Sequence, residues 1–120
     1  MADRVLVISW GTPVRGREEQ GLEVFDEAIG LFGRWQQEGR IAALDVVLLN
    51  PNGDLGGYIE LHGSAEQLAS IRETDEFRRN TTKAALVVDR LSHIEGVTND
   101  GVAREMELYR ESIATIATVA

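Results

Sequence analysis

Three side chains that could transfer protons alternate along one short segment of the chain. Tyr58, Glu60 and His62 are each two residues apart, with Ile59 and Leu61 between them. In a β-strand this spacing puts the phenol, the carboxylate and the imidazole on one face and the aliphatic side chains on the other. Acid–base chemistry on a small molecule needs such groups in a partly dry cavity. Glu60 or His62 would then move protons, and Tyr58 would orient an oxygen atom of the substrate. The alternative is that all three are ordinary solvent-facing residues of a half-exposed strand.

His93 is the second histidine of the chain and the fourth candidate catalytic residue. We expect its strand to run parallel to that of His62 with one strand between them, which places both histidines at the same end of the sheet. Their backbones would be about 10 Å apart, which is wide for a shared metal ion. The sequence therefore predicts no metal site, and either imidazole would serve as a base or proton shuttle, or as a structural side chain. The aromatic residues fall at core spacings, so no cofactor is predicted.

The elements that position these residues follow from the apolar patterns. Strands are predicted over residues 5–10, 41–49, 55–62 and 86–94. Asn50–Asp54 contains Pro and Asn-Gly, which are typical of a turn, and it joins the second and third strands as a hairpin. A long helix after residue 15 ends near Gly39.

Further helices are predicted after the third strand and at the end of the chain. Ser64 and Gln67 have the spacing of a capping box, and Thr74 indicates a second helix start before Phe77. A turn over Thr98–Gly101 precedes a final amphipathic helix. The order of elements is that of an α+β, ferredoxin-like βαββαβ domain with a four-stranded antiparallel sheet and an added C-terminal helix. We expect residues 1–120 to form one such domain, with both connecting helices on one face of the sheet.

The chain also resembles a known superfamily. The helix start at Gly63–Leu68, the Asp75–Phe77 turn and the hydrophobic fourth strand look like those of the dimeric α+β-barrel superfamily. That superfamily includes small cofactor-independent monooxygenases and muconolactone-isomerase-like proteins. Ser9–Pro13 and Pro51–Gly57 are similar to an uncharacterised branch. The resemblance implies a fold and a pocket in the barrel interior, and it transfers no catalytic motif.

Composition limits the partners of the chain. Twenty acidic against twelve basic residues give a net charge of −8, which argues against binding to nucleic acid or to an anionic membrane. The absence of cysteine excludes disulfides and thiolate chemistry. No stretch approaches the roughly 20 apolar residues of a membrane helix, and the N-terminus lacks a signal-peptide core. We therefore expect a cytoplasmic protein.

The apolar residues of the strands predict a homodimer. Leu44, Val46 and Leu48 alternate with Val47 and Leu49 in the second strand. The first strand is apolar on both faces as well. One helix layer covers one face, so we expect a second copy to pack its sheet against the other. Two functions stay open: a small-molecule-binding protein that acts as a cofactor-independent enzyme through acid–base residues in a barrel cavity, and a non-enzymatic homodimeric accessory or regulatory protein with a packed interior.

Overall fold

The computed structural model describes residues 2–119. Within this range the chain forms the following elements in order: β1 (Arg4–Trp10), α1 (Glu18–Gln37), β2 (Ala43–Leu48), β3 (Gly57–Gly63), α2 (Ala65–Arg72), α3 (Asp75–Val87), β4 (Ser92–Val97) and α4 (Asp100–Val119). The strands form one sheet in the order β2-β3-β1-β4, and all neighbours are antiparallel. This confirms the predicted α+β, ferredoxin-like fold.

The hydrophobic core lies between one face of the sheet and helices α1, α2 and α3. In the centre of the sheet Leu6 pairs with Leu61 and Ile8 with Ile59, and all four side chains are buried. The residues packed on them from the helices are Ala28, Phe32, Trp35, Leu68, Ile71 and Phe77. The other face of the sheet, which we call the open face, carries the side chains that alternate with this set.

Two caps divide the helical segment between β3 and β4, as the sequence predicted. The Ser64 hydroxyl accepts from the Gln67 backbone N–H at 3.1 Å, and the Gln67 side chain accepts from the Ser64 N–H at 2.9 Å. Thr74 Oγ1 accepts from the Phe77 N–H at 3.1 Å and donates to the Ile71 carbonyl at 2.7 Å. These bonds satisfy backbone groups that the end of one helix and the start of the next leave unpaired.

The fourth strand does not lie where the sequence predicted it. The apolar run that begins at Leu86 continues α3 to Val87, and β4 begins only at Ser92. The segment between α3 and β4 is bonded to the residues that follow β1. Val14 N–H donates to the Val87 carbonyl at 2.8 Å, and Asp89 N–H donates to the Thr12 carbonyl at 2.9 Å. A short apolar run is compatible with a helix end or a strand, and here the buried Val87 completes the helix face.

Helix α4 extends away from the rest of the fold. Near its start, Gly101 packs close to the Asp3 backbone and Arg104 pairs with the Asp3 carboxylate. Its apolar stripe is exposed by 45–71%: Val102, Met106, Tyr109, Ile113 and Ile116. The radius of gyration of the Cα atoms is 17.2 Å, against about 14 Å for a compact chain of this length, because α4 projects from the domain.

In the described part of the chain, no helix has the length and apolar character needed to cross a membrane.

Candidate functional site

Tyr58, Glu60 and His62 share the open face of the sheet, as the alternation along β3 predicted. The antiparallel register places Glu60 opposite Val7 and His62 opposite Val5. His62 Nε2 lies 2.9 Å from Glu60 Oε1 and 3.4 Å from Asp45 Oδ2 of the neighbouring strand β2. The structure therefore brings Glu60 and His62 together and adds Asp45, which the sequence analysis did not identify.

His93 does not lie at the same end of the sheet as His62, so that part of the prediction was wrong. It pairs with Ile8 of β1, whose side chain faces the helices, whereas His62 pairs with Val5 on the open face. The two strands are parallel, but His62 is near the end of β3 and His93 is near the start of β4. The histidines are thus on opposite faces and towards opposite ends of the sheet.

His93 instead lines a cavity of about 220 Å³ between the sheet and helices α1 and α3. The lining is mainly aromatic and aliphatic, and its rings are those of Trp10, Phe25, Phe32 and Phe77. The rings of Trp10 and Phe25 pack edge to face with their centroids 5.8 Å apart. The centroids of the His93 and Phe77 rings are 5.4 Å apart. Polar groups are few, so a ligand in this space would be held chiefly by apolar contact.

Small residues on the two helices create this space. Gly21 and Ala28 of α1 and Ala84 of α3 all line the cavity. A helix position that carries no side chain beyond Cβ cannot reach across to the sheet, so three such positions leave an unfilled volume among large neighbours. Leu22 and Leu48 also line the cavity and are 66% and 68% exposed, so the cavity opens to solvent beside them.

The environment of His93 favours its neutral form. Burial lowers the pKa of this imidazole below its usual value of 6.5, and the positive charge of Arg72 lowers it further. Arg72 forms an ion pair with Glu95, two residues along β4 from His93. A neutral imidazole at pH 7 accepts a proton or a hydrogen bond, so His93 is the one base of the cavity suited to proton transfer near neutrality.

Two further polar side chains flank the cavity. Asn80 of α3 lines it and donates through Nδ2 to the Val24 carbonyl at 3.4 Å. Asp89 ties down the loop at one end, where its Oδ1 accepts from the Thr12 N–H at 2.7 Å. Hydrogen bonds from Thr12 hold the pKa of Asp89 below its usual value. The loop that carries Pro13, another lining residue, is thereby fastened to the segment after α3.

Comparisons with known proteins identify the fold and no closer relative. No protein-family model matches the chain, and no curated protein matches it. Several solved structures are similar in fold. A hypothetical protein of Arabidopsis thaliana has a TM-score of 0.63 and 12% identity, covering 82% of this chain and 90% of its own. A dimeric protein of unknown function and ferredoxin-like fold from Bacteroides fragilis has a TM-score of 0.61 and 10% identity, covering 78% and 94%.

SnoaB, a cofactor-independent oxygenase from Streptomyces nogalater, is also similar in fold. Its TM-score is 0.51 at 15% identity, over 82% of this chain and 93% of SnoaB. These structures share the ferredoxin-like fold of this chain. At 10–15% identity a shared fold does not indicate a shared reaction, so any reaction must be inferred from the cavity.

Proposed function

We propose that this protein binds an apolar small molecule of one or two rings in the cavity between the sheet and helices α1 and α3. His93 would then act as the base on an acidic O–H or C–H group of that molecule. The observation that carries the proposal is a ring-lined cavity with one partly buried imidazole whose pKa is lowered. The fold shared with a cofactor-independent oxygenase is consistent with this chemistry.

The size of the cavity limits the ligand. An apolar cavity of about 150 Å³ is known to accept benzene. At about 220 Å³ this one would hold a single substituted ring or two fused rings. Acid–base catalysis by a positioned imidazole contributes typically 10²–10⁴-fold to a rate, and the neutral state of His93 is the competent one for proton abstraction.

A homodimer is part of the proposal. The open face carries Val5, Val7, Val47 and Ile94 beside its polar groups, and Ile94 is 53% exposed. The apolar stripe of α4 is exposed as well. A second copy that packs its sheet on this face, with α4 reaching over it, would remove both surfaces from water. The Bacteroides fragilis protein of this fold is described as dimeric. A cytoplasmic location stays a prediction.

The alternative function, a non-enzymatic homodimeric accessory or regulatory protein, supposes a packed barrel interior between the two open faces. The cavity lies instead in the helix-covered half of each chain and would remain after the open faces pack together. A ring-lined cavity in that position supports the binding function, whatever the packing of the barrel interior.

Titration with 1-naphthol tests the proposal, because this probe has two fused rings and one weakly acidic hydroxyl. The chain has two histidines, so their imidazole signals in ¹⁵N–¹H NMR spectra can be assigned by His62→Gln and His93→Gln variants. We expect saturable binding that shifts the His93 signal and leaves that of His62 in place. Binding that shifts His62 alone, or no saturable binding, would contradict the proposal.

A further inference from the structure

The side chains of Asp45, Glu60 and His62 form a compact cluster on the open face, and the cavity does not include them. One oxygen from each carboxylate and a ring nitrogen of His62 all lie within 4.8 Å of one another. We propose that this cluster is a binding site for a divalent transition-metal ion of the zinc type. The proposal is independent of the cavity and of His93, which lie on the other side of the sheet.

The distances within the cluster match the edges of a coordination polyhedron. Zn²⁺ holds imidazole nitrogen and carboxylate oxygen at about 2.0–2.2 Å, so two such ligands at octahedral or tetrahedral angles lie about 3.0–3.5 Å apart. His62 Nε2 is 2.9 Å from Glu60 Oε1 and 3.4 Å from Asp45 Oδ2. Both distances from His62 Nε2 therefore fit ligands of one ion, and the two carboxylate oxygens lie within 4.8 Å of each other.

The strand pairing holds these three positions in place. Asp45 lies directly opposite Glu60 in the β2–β3 ladder, and His62 follows Glu60 by two residues on the same face. Ligands on adjacent paired strands are held more precisely than ligands on loops. Strand β2 is at the edge of the sheet, and the Asp45 side chain is 65% exposed, so an ion can enter from the rim.

The charge balance of the cluster is a second, separate argument. In the part of the chain that the structure describes, His62 is the sole ion-pair partner of both Asp45 and Glu60, and neither carboxylate pairs with lysine or arginine. The two carboxylates therefore leave the cluster net negative in either form of the imidazole, and a divalent cation would offset that charge.

The ligand types select the metal. One imidazole with two carboxylates suits zinc and its neighbours in the first transition row, whereas Mg²⁺ prefers all-oxygen sites with several waters. Three protein ligands also leave one coordination position for water, as in zinc sites that are not closed.

Isothermal titration of the untagged, metal-stripped protein with Zn²⁺ tests the site. We expect one ion per chain, no displacement by equimolar Mg²⁺, and at least a tenfold loss of affinity in each of Asp45→Asn, Glu60→Gln and His62→Asn. The matched controls are His93→Gln and Glu95→Gln, which change a histidine and a carboxylate on the opposite face of the sheet and are expected to bind as the unmodified chain does.

Circular dichroism of each variant separates loss of the site from loss of the fold, and Co²⁺ provides a second readout through its visible absorption. Absence of saturable binding, equal losses in the controls, or unchanged affinity in folded ligand variants would overturn the proposal. Loss of Zn²⁺ binding with retained 1-naphthol binding, or the reverse, distinguishes failure of this site from failure of the cavity.

Discussion

Ala84 and Ala85 are neighbours on α3 that differ in their surroundings. The side chain of Ala84 lines the cavity, whereas that of Ala85 is exposed to solvent. Ala84→Leu and Ala85→Leu are therefore matched variants with the same change in composition and helix propensity. Leucine at position 84 places three more carbon atoms in the cavity of about 220 Å³. The first variant is expected to fill space, and the second to leave the core untouched.

The expected change in the free energy of unfolding follows from the three carbon atoms that Ala84→Leu would bury. Burial of three groups at about 0.8 kcal/mol each gives about 2.4 kcal/mol. Ordering the leucine side chain costs about 0.5–1 kcal/mol, so the free energy of unfolding should rise by about 1.5 kcal/mol for Ala84→Leu. For a domain of this size the melting temperature should rise by about 6 °C. Ala85→Leu should stay within about 0.5 kcal/mol of the unmodified protein.

Urea unfolding and 1-naphthol titration measure the two consequences together. The added side chain competes with the ligand for one volume, so Ala84→Leu should weaken 1-naphthol binding at least tenfold, or about 1.4 kcal/mol. Ala85→Leu should bind as before. Destabilisation by Ala84→Leu of more than about 1 kcal/mol would indicate overpacking of a filled core and would refute the cavity. Unchanged affinity would place the ligand elsewhere.

Three further predictions concern His93, the dimer and the metal. Since the pKa of His93 is lowered in the folded chain, the unfolded chain binds more protons, and the free energy of unfolding should fall as the pH drops through about 6.5. His93→Phe should have a weaker pH dependence in urea titrations, and Arg72→Gln should raise the pKa of His93 measured by NMR. Val47→Asp places a carboxylate on the open face and should shift the protein from dimer to monomer in light scattering. Glu23→Asp, at an exposed position of α1, should leave the dimer intact. Zn²⁺ should tighten the dimer in sedimentation equilibrium for the unmodified chain but not for Glu60→Gln; an equal response of both would contradict the link.

Local patterns in the sequence predicted much of this fold because their causes are local. The capping box at Ser64 and the cap at Thr74 depend on residues three apart, and both form as expected. The alternation of Tyr58, Glu60 and His62 fixes a shared face wherever that strand is placed. These features needed no knowledge of which elements meet in space.

The position of His93 depended on information that no local pattern contains. Its face is set by which residue of β1 it pairs with, and a shift of one residue in register reverses the face of every side chain in a strand. The apolar run from Leu86 placed the strand too early, so the end of the sheet was assigned wrongly too. The cavity was missed for a similar reason. It results from small residues on two helices that approach one sheet, and small residues alone have no characteristic pattern.

The open face joins the proposed dimer to the proposed metal site through one electrostatic argument. Packing a second sheet over this face removes water from part of the cluster of Asp45, Glu60 and His62. Two carboxylates with one imidazole would keep an uncompensated charge there, and burial of such a charge is strongly unfavourable. A bound divalent cation neutralises that charge. The dimer, in which the open face is buried, should therefore bind the metal ion more tightly than the monomer does. By linkage, an ion that binds the dimer more tightly than the monomer must stabilise the dimer to the same extent.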